Sequence, residues 1–173
     1  MSFLSKVFAR SSEEVYFGSD YKTYKPKTDY STYGVSGCFF GHGLYVSTSK
    51  SDAKSYGKYI RTLTLPNIKF FDVSNLHDFE LLYKYLKQDF KTQKTEFLAK
   101  KTGVDEMSFF RNLFSLLEHD TNEVGPVAVT RKIEQMGYAG LYIPKRIGGG
   151  EGDWYTFFKP EKYFKPNELK SVA

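Results

Sequence analysis

The chain has a single cysteine, Cys38, in 173 residues. One thiol excludes an internal disulfide and a cysteine-rich zinc site, and it points to a reducing, cytoplasmic compartment. Arginine is also scarce. Only Arg10, Arg61, Arg111, Arg131 and Arg146 occur, so the net charge of +5, from 25 Lys and Arg against 20 Asp and Glu, is carried by lysine. Lysine usually coats a solvated surface, whereas forked recognition of bases and phosphates favours arginine. A nucleic-acid target therefore stays open without being indicated. No stretch approaches the roughly 18 continuous apolar residues of a membrane span, and Met1 to Lys6 lacks the apolar run of a signal peptide. The expectation is a soluble, intracellular chain with no membrane partner. Three histidines, His42, His77 and His119, show no metal-ligand spacing, so no metal is expected. The run Gly148-Gly149-Gly150-Glu151-Gly152 is not followed by the Lys-Ser/Thr of a phosphate loop. Cys38 has no neighbours that argue for a nucleophile, and an inert thiol is expected. No internal repeat is present.

Aromatic residues are abundant by contrast: 14 Tyr, 16 Phe and 1 Trp, with 40% hydrophobic residues overall, a composition that excludes a disordered chain. The length predicts one domain over 1–173. Val15 to Phe17 reads as a strand ending at Gly18-Ser19, followed by a Lys-, Tyr- and Pro-rich loop to about Cys38. Phe39 to Val46 is β-prone but interrupted by Gly41 and Gly43, which suggests close backbone approach. Ser49 with Asp52 three residues on resembles a capping box opening a helix over Asp52 to Tyr59, with Ala53 and Tyr56 on its buried face. Thr62 to Leu65 and Lys69 to Val73 read as short strands.

From Ser74 to about Gly125 the apolar period becomes helical, through Leu76, Phe79, Leu82, Tyr83, Leu86 and Phe90, then Met107, Phe110, Phe114 and Leu117. A further helix, Pro126 to Met136, has Pro at its start and Gly137 past its end. Leu141 to Ile143 and Trp154 to Phe158 read as strands, separated by a loop from Pro144 to Gly152. Strands at both ends with helices between give an α+β chain with a helical insertion over about 74–125.

Chemistry concentrates at the terminal strands. Gly41-His42-Gly43-Leu44-Tyr45-Val46-Ser47-Thr48-Ser49, with Ala53 and Tyr56, combines glycines that admit a planar ligand, a ring for stacking and hydroxyls at a helix start. By periodicity alone an ordinary glycine-containing strand packed on a helix is the favoured explanation, since glycine and serine are common turn residues. His42, between two glycines, reads as a rim residue rather than a general base.

This stretch resembles the second signature of the ADP-ribosyltransferase superfamily: glycine, any residue, glycine, aliphatic, tyrosine, an aromatic or aliphatic residue, then small hydroxyl residues and a helix with alanine and tyrosine. Val15-Tyr16-Phe17-Gly18-Ser19 resembles the first signature. Gly137 to Ile143, followed by Gly150-Glu151-Gly152-Asp153-Trp154-Tyr155-Thr156-Phe157-Phe158-Lys159-Pro160-Glu161, is similar to the C-terminal one. The three occur in family order, cover about 60 residues and leave the helical block uncovered.

The resemblance implies a split β-sheet fold and a mono-ADP-ribosyltransferase, of the phage or bacterial kind given its small size. Such an enzyme binds NAD, breaks the bond between nicotinamide and ribose through an oxocarbenium-like state, and transfers ADP-ribose to a target, here expected to be a host protein. It also implies residue roles. Gly18 would present backbone groups to the nicotinamide amide, with Tyr16 and Ser19 beside it. Tyr45 would stack on the nicotinamide ring, with Gly43 and Leu44 shaping the approach and Tyr56 a second aromatic wall. Ser47 and Ser49 would support the ribose or the acidic residue. Matching on Phe158-Lys159-Pro160 puts Asp153 at the catalytic carboxylate, where the family usually has glutamate, and Glu151 at the target-contact position.

Phe17 stands where the family supplies histidine or arginine, and a phenyl ring donates no hydrogen bond. Ser47-Thr48-Ser49 resembles the arginine-serine-glutamate subclass and Gly43-Leu44-Tyr45 the histidine-tyrosine-glutamate subclass. Two further readings stand beside transfer: an NAD glycohydrolase, with water as acceptor, and an inactive module of the same fold that binds NAD, ADP-ribose or a partner. The helical block either contacts a protein target or covers the sheet.

Overall fold

A computed structural model describes residues 13–23, 43–86, 117–118, 125–165 and 170–172. Cys38, the stretch Phe39 to His42, and Phe90, Met107, Phe110, Phe114 and His119 lie outside the described residues.

The chain is α+β. Strands β1 (Glu14–Ser19), β2 (Leu44–Ser47), β3 (Tyr59–Thr64), β4 (Phe71–Asp72), β5 (Gly140–Ile143), β6 (Trp154–Phe157) and β7 (Lys170–Val172) are joined, among the described residues, in one seven-stranded sheet. Its order is β4-β5-β6-β2-β1-β3-β7, with β4 parallel to β5 and the other pairs antiparallel. β1 runs along β3 from Glu14 opposite Thr64 to Ser19 opposite Tyr59. It meets β2 only where Tyr16 faces Ser47, so the sheet opens toward Gly18 and Ser19.

Alternation along the strands divides the side chains between two cores. Val15, Phe17, Leu44, Val46, Leu63, Tyr155 and Phe157 share one face with Leu65, Phe70 and Phe164. Trp154, Leu141, Ile143 and Phe71 belong to the other core, beneath helices α2 (Leu76–Tyr85) and α3 (Pro126–Gln135), with Phe79, Leu82, Val129 and Ile133 packed on them. β6 is buried along its whole length because both faces of this central strand are covered. α3 starts on Pro126, whose missing N–H costs nothing in a first turn.

Some elements differ from the sequence expectation. Helix α1 runs over Lys50–Lys54, not Asp52 to Tyr59, although Ser49 caps it as expected, its hydroxyl accepting from Asp52 N. Gly57, at φ +154°, lets the chain turn out of the helix and start β3 at Tyr59, ahead of the expected Thr62. The segment from Pro144 to Gly152 is not all loop: Lys145–Gly148 forms a helical turn, α4. β7 carries no alternating pattern and was not foreseen.

Candidate active site

Four segments converge at one end of β2 and β6: the end of β2, the start of α1, the glycine-rich segment 149–152 and the start of β6. Antiparallel pairing of Ser47 with Trp154 brings the hydroxyl segment beside the glycine segment. Thr48 locks them further. Its N–H donates to the Asp153 carbonyl at 2.9 Å, and its hydroxyl accepts from Asp153 N at 2.9 Å.

Asp52 is the hub. Its carboxylate accepts from the Ser47 hydroxyl at 2.9 Å, from Glu151 N at 2.9 Å and from Gly152 N at 2.9 Å. Burial by itself would raise its pKa, but these three donors and the charge of Lys145 outweigh burial and hold the carboxyl below its ordinary value. Sequence reading assigned Asp52 only to a cap. Its distance in sequence from Glu151 hides the contact.

The hub leaves little room for side chains above it. A Cβ on Gly150 would lie 2.6 Å from Asp52 Oδ2 and 2.7 Å from Trp154 Nε1, and one on Gly152 would lie 2.6 Å from both Ser49 N and Thr48 Oγ1. Glycine at both positions lets the segment close onto α1.

The two acidic residues separate. Asp153 turns toward β5 and α4, where its carboxylate accepts from the Tyr142 hydroxyl at 2.9 Å and from Lys145 N at 2.8 Å. Burial first, then this hydrogen bond and the Asp153 charge, push the Tyr142 phenol well above its ordinary pKa, so it remains a donor. Glu151 is exposed and accepts from the Ser49 hydroxyl at 3.4 Å.

Three aromatics border this region. Tyr45, two pairs along the ladder from Ser47, is half-buried against the core that contains Trp154. The Tyr56 ring meets Trp154 edge to face at 5.3 Å and is 58% exposed. Tyr16 faces Ser47 across the ladder and donates its hydroxyl to Glu14 at 2.7 Å; that hydrogen bond first, then burial and the Glu14 charge, raise its pKa.

Of the residues singled out from sequence, Tyr16, Tyr45, Ser47, Ser49, Tyr56 and Glu151 gather here. Leu44 opens β2 and Gly43 precedes it, and both serve packing: a Cβ on Gly43 would meet Phe157 O at 2.2 Å, and Leu44 is in the core. Phe17 is also a core residue, 2% exposed. Ser19 is buried, and its hydroxyl accepts from Tyr21 N at 3.1 Å. Gly18 packs against α1, where a Cβ would stand 2.0 Å from Ala53 O. Opposite Phe17, Arg61 is buried with its guanidinium 5.8 Å from the Phe17 ring, donating to the carbonyls of Tyr21 and Lys22 at 2.7 Å each.

Among the described residues no three His, Cys, Asp or Glu side chains cluster as a metal would require, and no helix is long and apolar enough to cross a membrane. No protein-family model matches the chain, and no curated protein matches it. A solved structure described as "Crystal structure of an anti-CRISPR protein" aligns over 96% of this chain and 99% of its own at 13% identity, with a TM-score of 0.43. A likeness of that depth carries no argument about fold or function.

Proposed function

We propose that the chain is a mono-ADP-ribosyltransferase that cleaves NAD and transfers ADP-ribose to a protein, releasing nicotinamide. The observation that carries this reading is the Ser49–Glu151 pair, tied to the Asp52 hub next to Gly150, against which Trp154 packs with Tyr56 edge to face upon it. A carboxylate next to an aromatic wall suits a reaction in which positive charge develops on a sugar as its bond to a flat cationic ring lengthens. The described strands form one continuous sheet in place of the split sheet that the resemblance implies, so the reading rests on the residues that would meet NAD at its nicotinamide end: aromatic faces to stack on, hydroxyls to orient ribose.

Geometry favours a different division of labour between the acids from the one that motif matching implies. In this proposal Glu151 stabilises the developing charge, because it is exposed and oriented by Ser49. Asp153 anchors the segment, since both its oxygens are engaged by Tyr142 and Lys145. Mass spectrometry of proteins from cells expressing wild type beside Glu151→Gln tests the proposal. Expected are ADP-ribosylated peptides with wild type and none with the variant; equal modification by both would reject it.

One observation favours a second reading. Phe17 is sealed in the core, so β1 offers no histidine or arginine side chain to the ligand. An inactive NAD-binding module would share that feature, and it would bind NAD without releasing nicotinamide.

A further inference from the structure

At the opposite end of β6 from Glu151 lies a cleft of about 410 Å³. Lys69, Glu134, Tyr138, Lys159, Lys162 and Tyr163 line it together with Ile68, Gly137 and Ala139. Its floor is fixed. The Tyr138 hydroxyl donates to the buried Asp78 at 2.8 Å, Ala139 N donates to Lys69 O at 2.9 Å, and Phe158 N donates to Ala139 O at 3.1 Å. Lys69 is thereby seated over the Tyr138 ring, Nζ 4.2 Å from its centroid.

The charge in the cleft is unbalanced. Lys159 pairs with Glu134 at 2.7 Å, so three lysines against one glutamate leave two positive charges, on Lys69 and the exposed Lys162. Tyr163 adds a phenol that burial and then the Glu134 charge keep protonated, against the opposing effect of Lys159. Two ammonium groups on different segments act as point charges that can share the oxygens of one tetrahedral dianion, the way lysine binds phosphate. The volume falls in the range of small-molecule sites and exceeds what a bare ion fills, and Ile68 gives an apolar wall for a carbon body.

We infer that this cleft binds the phosphate monoester of a small phosphorylated metabolite, independently of the NAD site. The test is an amide chemical-shift titration of the full chain with ribose 5-phosphate, inorganic phosphate and ribose at constant ionic strength. Expected are shifts at Gly137, Ala139 and Lys159 with ribose 5-phosphate at millimolar concentrations or below, an affinity at least about 10-fold weaker in Lys69→Met/Lys162→Met, and no binding of ribose. The two lysines are surface residues, and an unchanged melting temperature shows that the variant is folded. Absence of shifts at about 10 mM ligand, shifts that persist in the double variant, or equal binding of inorganic phosphate would overturn the inference.

Discussion

Glu151 and Asp153 stand two residues apart, yet one carboxylate is exposed beside a hydroxyl and the other is tied down by a phenol and a backbone amide. Substituting them should therefore give opposite phenotypes. Glu151→Gln should lower NAD cleavage by about 100-fold or more while leaving the melting temperature unchanged. Asp153→Asn should weaken the hydrogen bond from Tyr142 and cost about 1–3 kcal/mol, read by denaturant unfolding. Motif matching gives Asp153 the catalytic place and Glu151 the target contact, the reverse of the roles proposed from the geometry, because the distinction depends on Tyr142 and Lys145, which approach from β5 and α4. Asp52 went unrecognised as a hub for the same reason.

Asp52 also gives a pH test. Its folded-state pKa is depressed, so it contributes stability at neutral pH that is lost as the pH falls through that depressed value. Asp52→Asn should be less stable than wild type above about pH 4, and the gap should shrink in more acidic solution. A gap that is constant with pH would mean that the charge of Asp52 contributes nothing. Tyr56→Ala should leave stability nearly unchanged, since the ring is mostly exposed, but weaken NAD binding by about threefold to tenfold through loss of an aromatic contact. Titration followed by the fluorescence of Trp154, the single tryptophan, measures that affinity.

Among elements, α1 is short but well determined. Ser49 caps it, Ala53 O lies over Gly18, and Asp52 joins it to the glycine segment. Gly18→Ala drives a methyl into a backbone carbonyl that cannot move without α1, so it should cost about 2–3 kcal/mol or more. Gly152→Ala presses on Ser49 N and Thr48 Oγ1 and should shift the glycine segment, lowering activity more than stability. An unfolding midpoint unchanged in Gly18→Ala would contradict the packing of α1 on β1. The capping pattern of Ser49 and the Pro126-to-Gly137 frame of α3 were legible because local hydrogen bonding and backbone constraints fix them. β7 was not legible, since its three residues are held as a strand only by pairing with β3. α4 was masked by its glycines: it is a single turn ending at Gly149, whose φ is +71°.

For the whole molecule, two cores on opposite faces of one sheet account for most of the described aromatics. Phe70, Phe157 and Phe164 pack edge to face in one, and Phe71, Phe79 and Tyr138 do so in the other. The α+β class followed from the change in apolar period along the chain, a global property that survives local errors in element ends. The convergence of Ser49, Asp52 and Glu151 is long-range and had to be seen in three dimensions. The measurement that bears most directly on the proposed activity is nicotinamide release and label transfer from radiolabelled NAD in the presence of whole-cell protein, compared among wild type, Glu151→Gln and Asp153→Asn. Expected is release with transfer by wild type, near-complete loss in Glu151→Gln at unchanged melting temperature, and substantial retention in folded Asp153→Asn. No nicotinamide from wild type, or full activity in Glu151→Gln, would contradict the assignment.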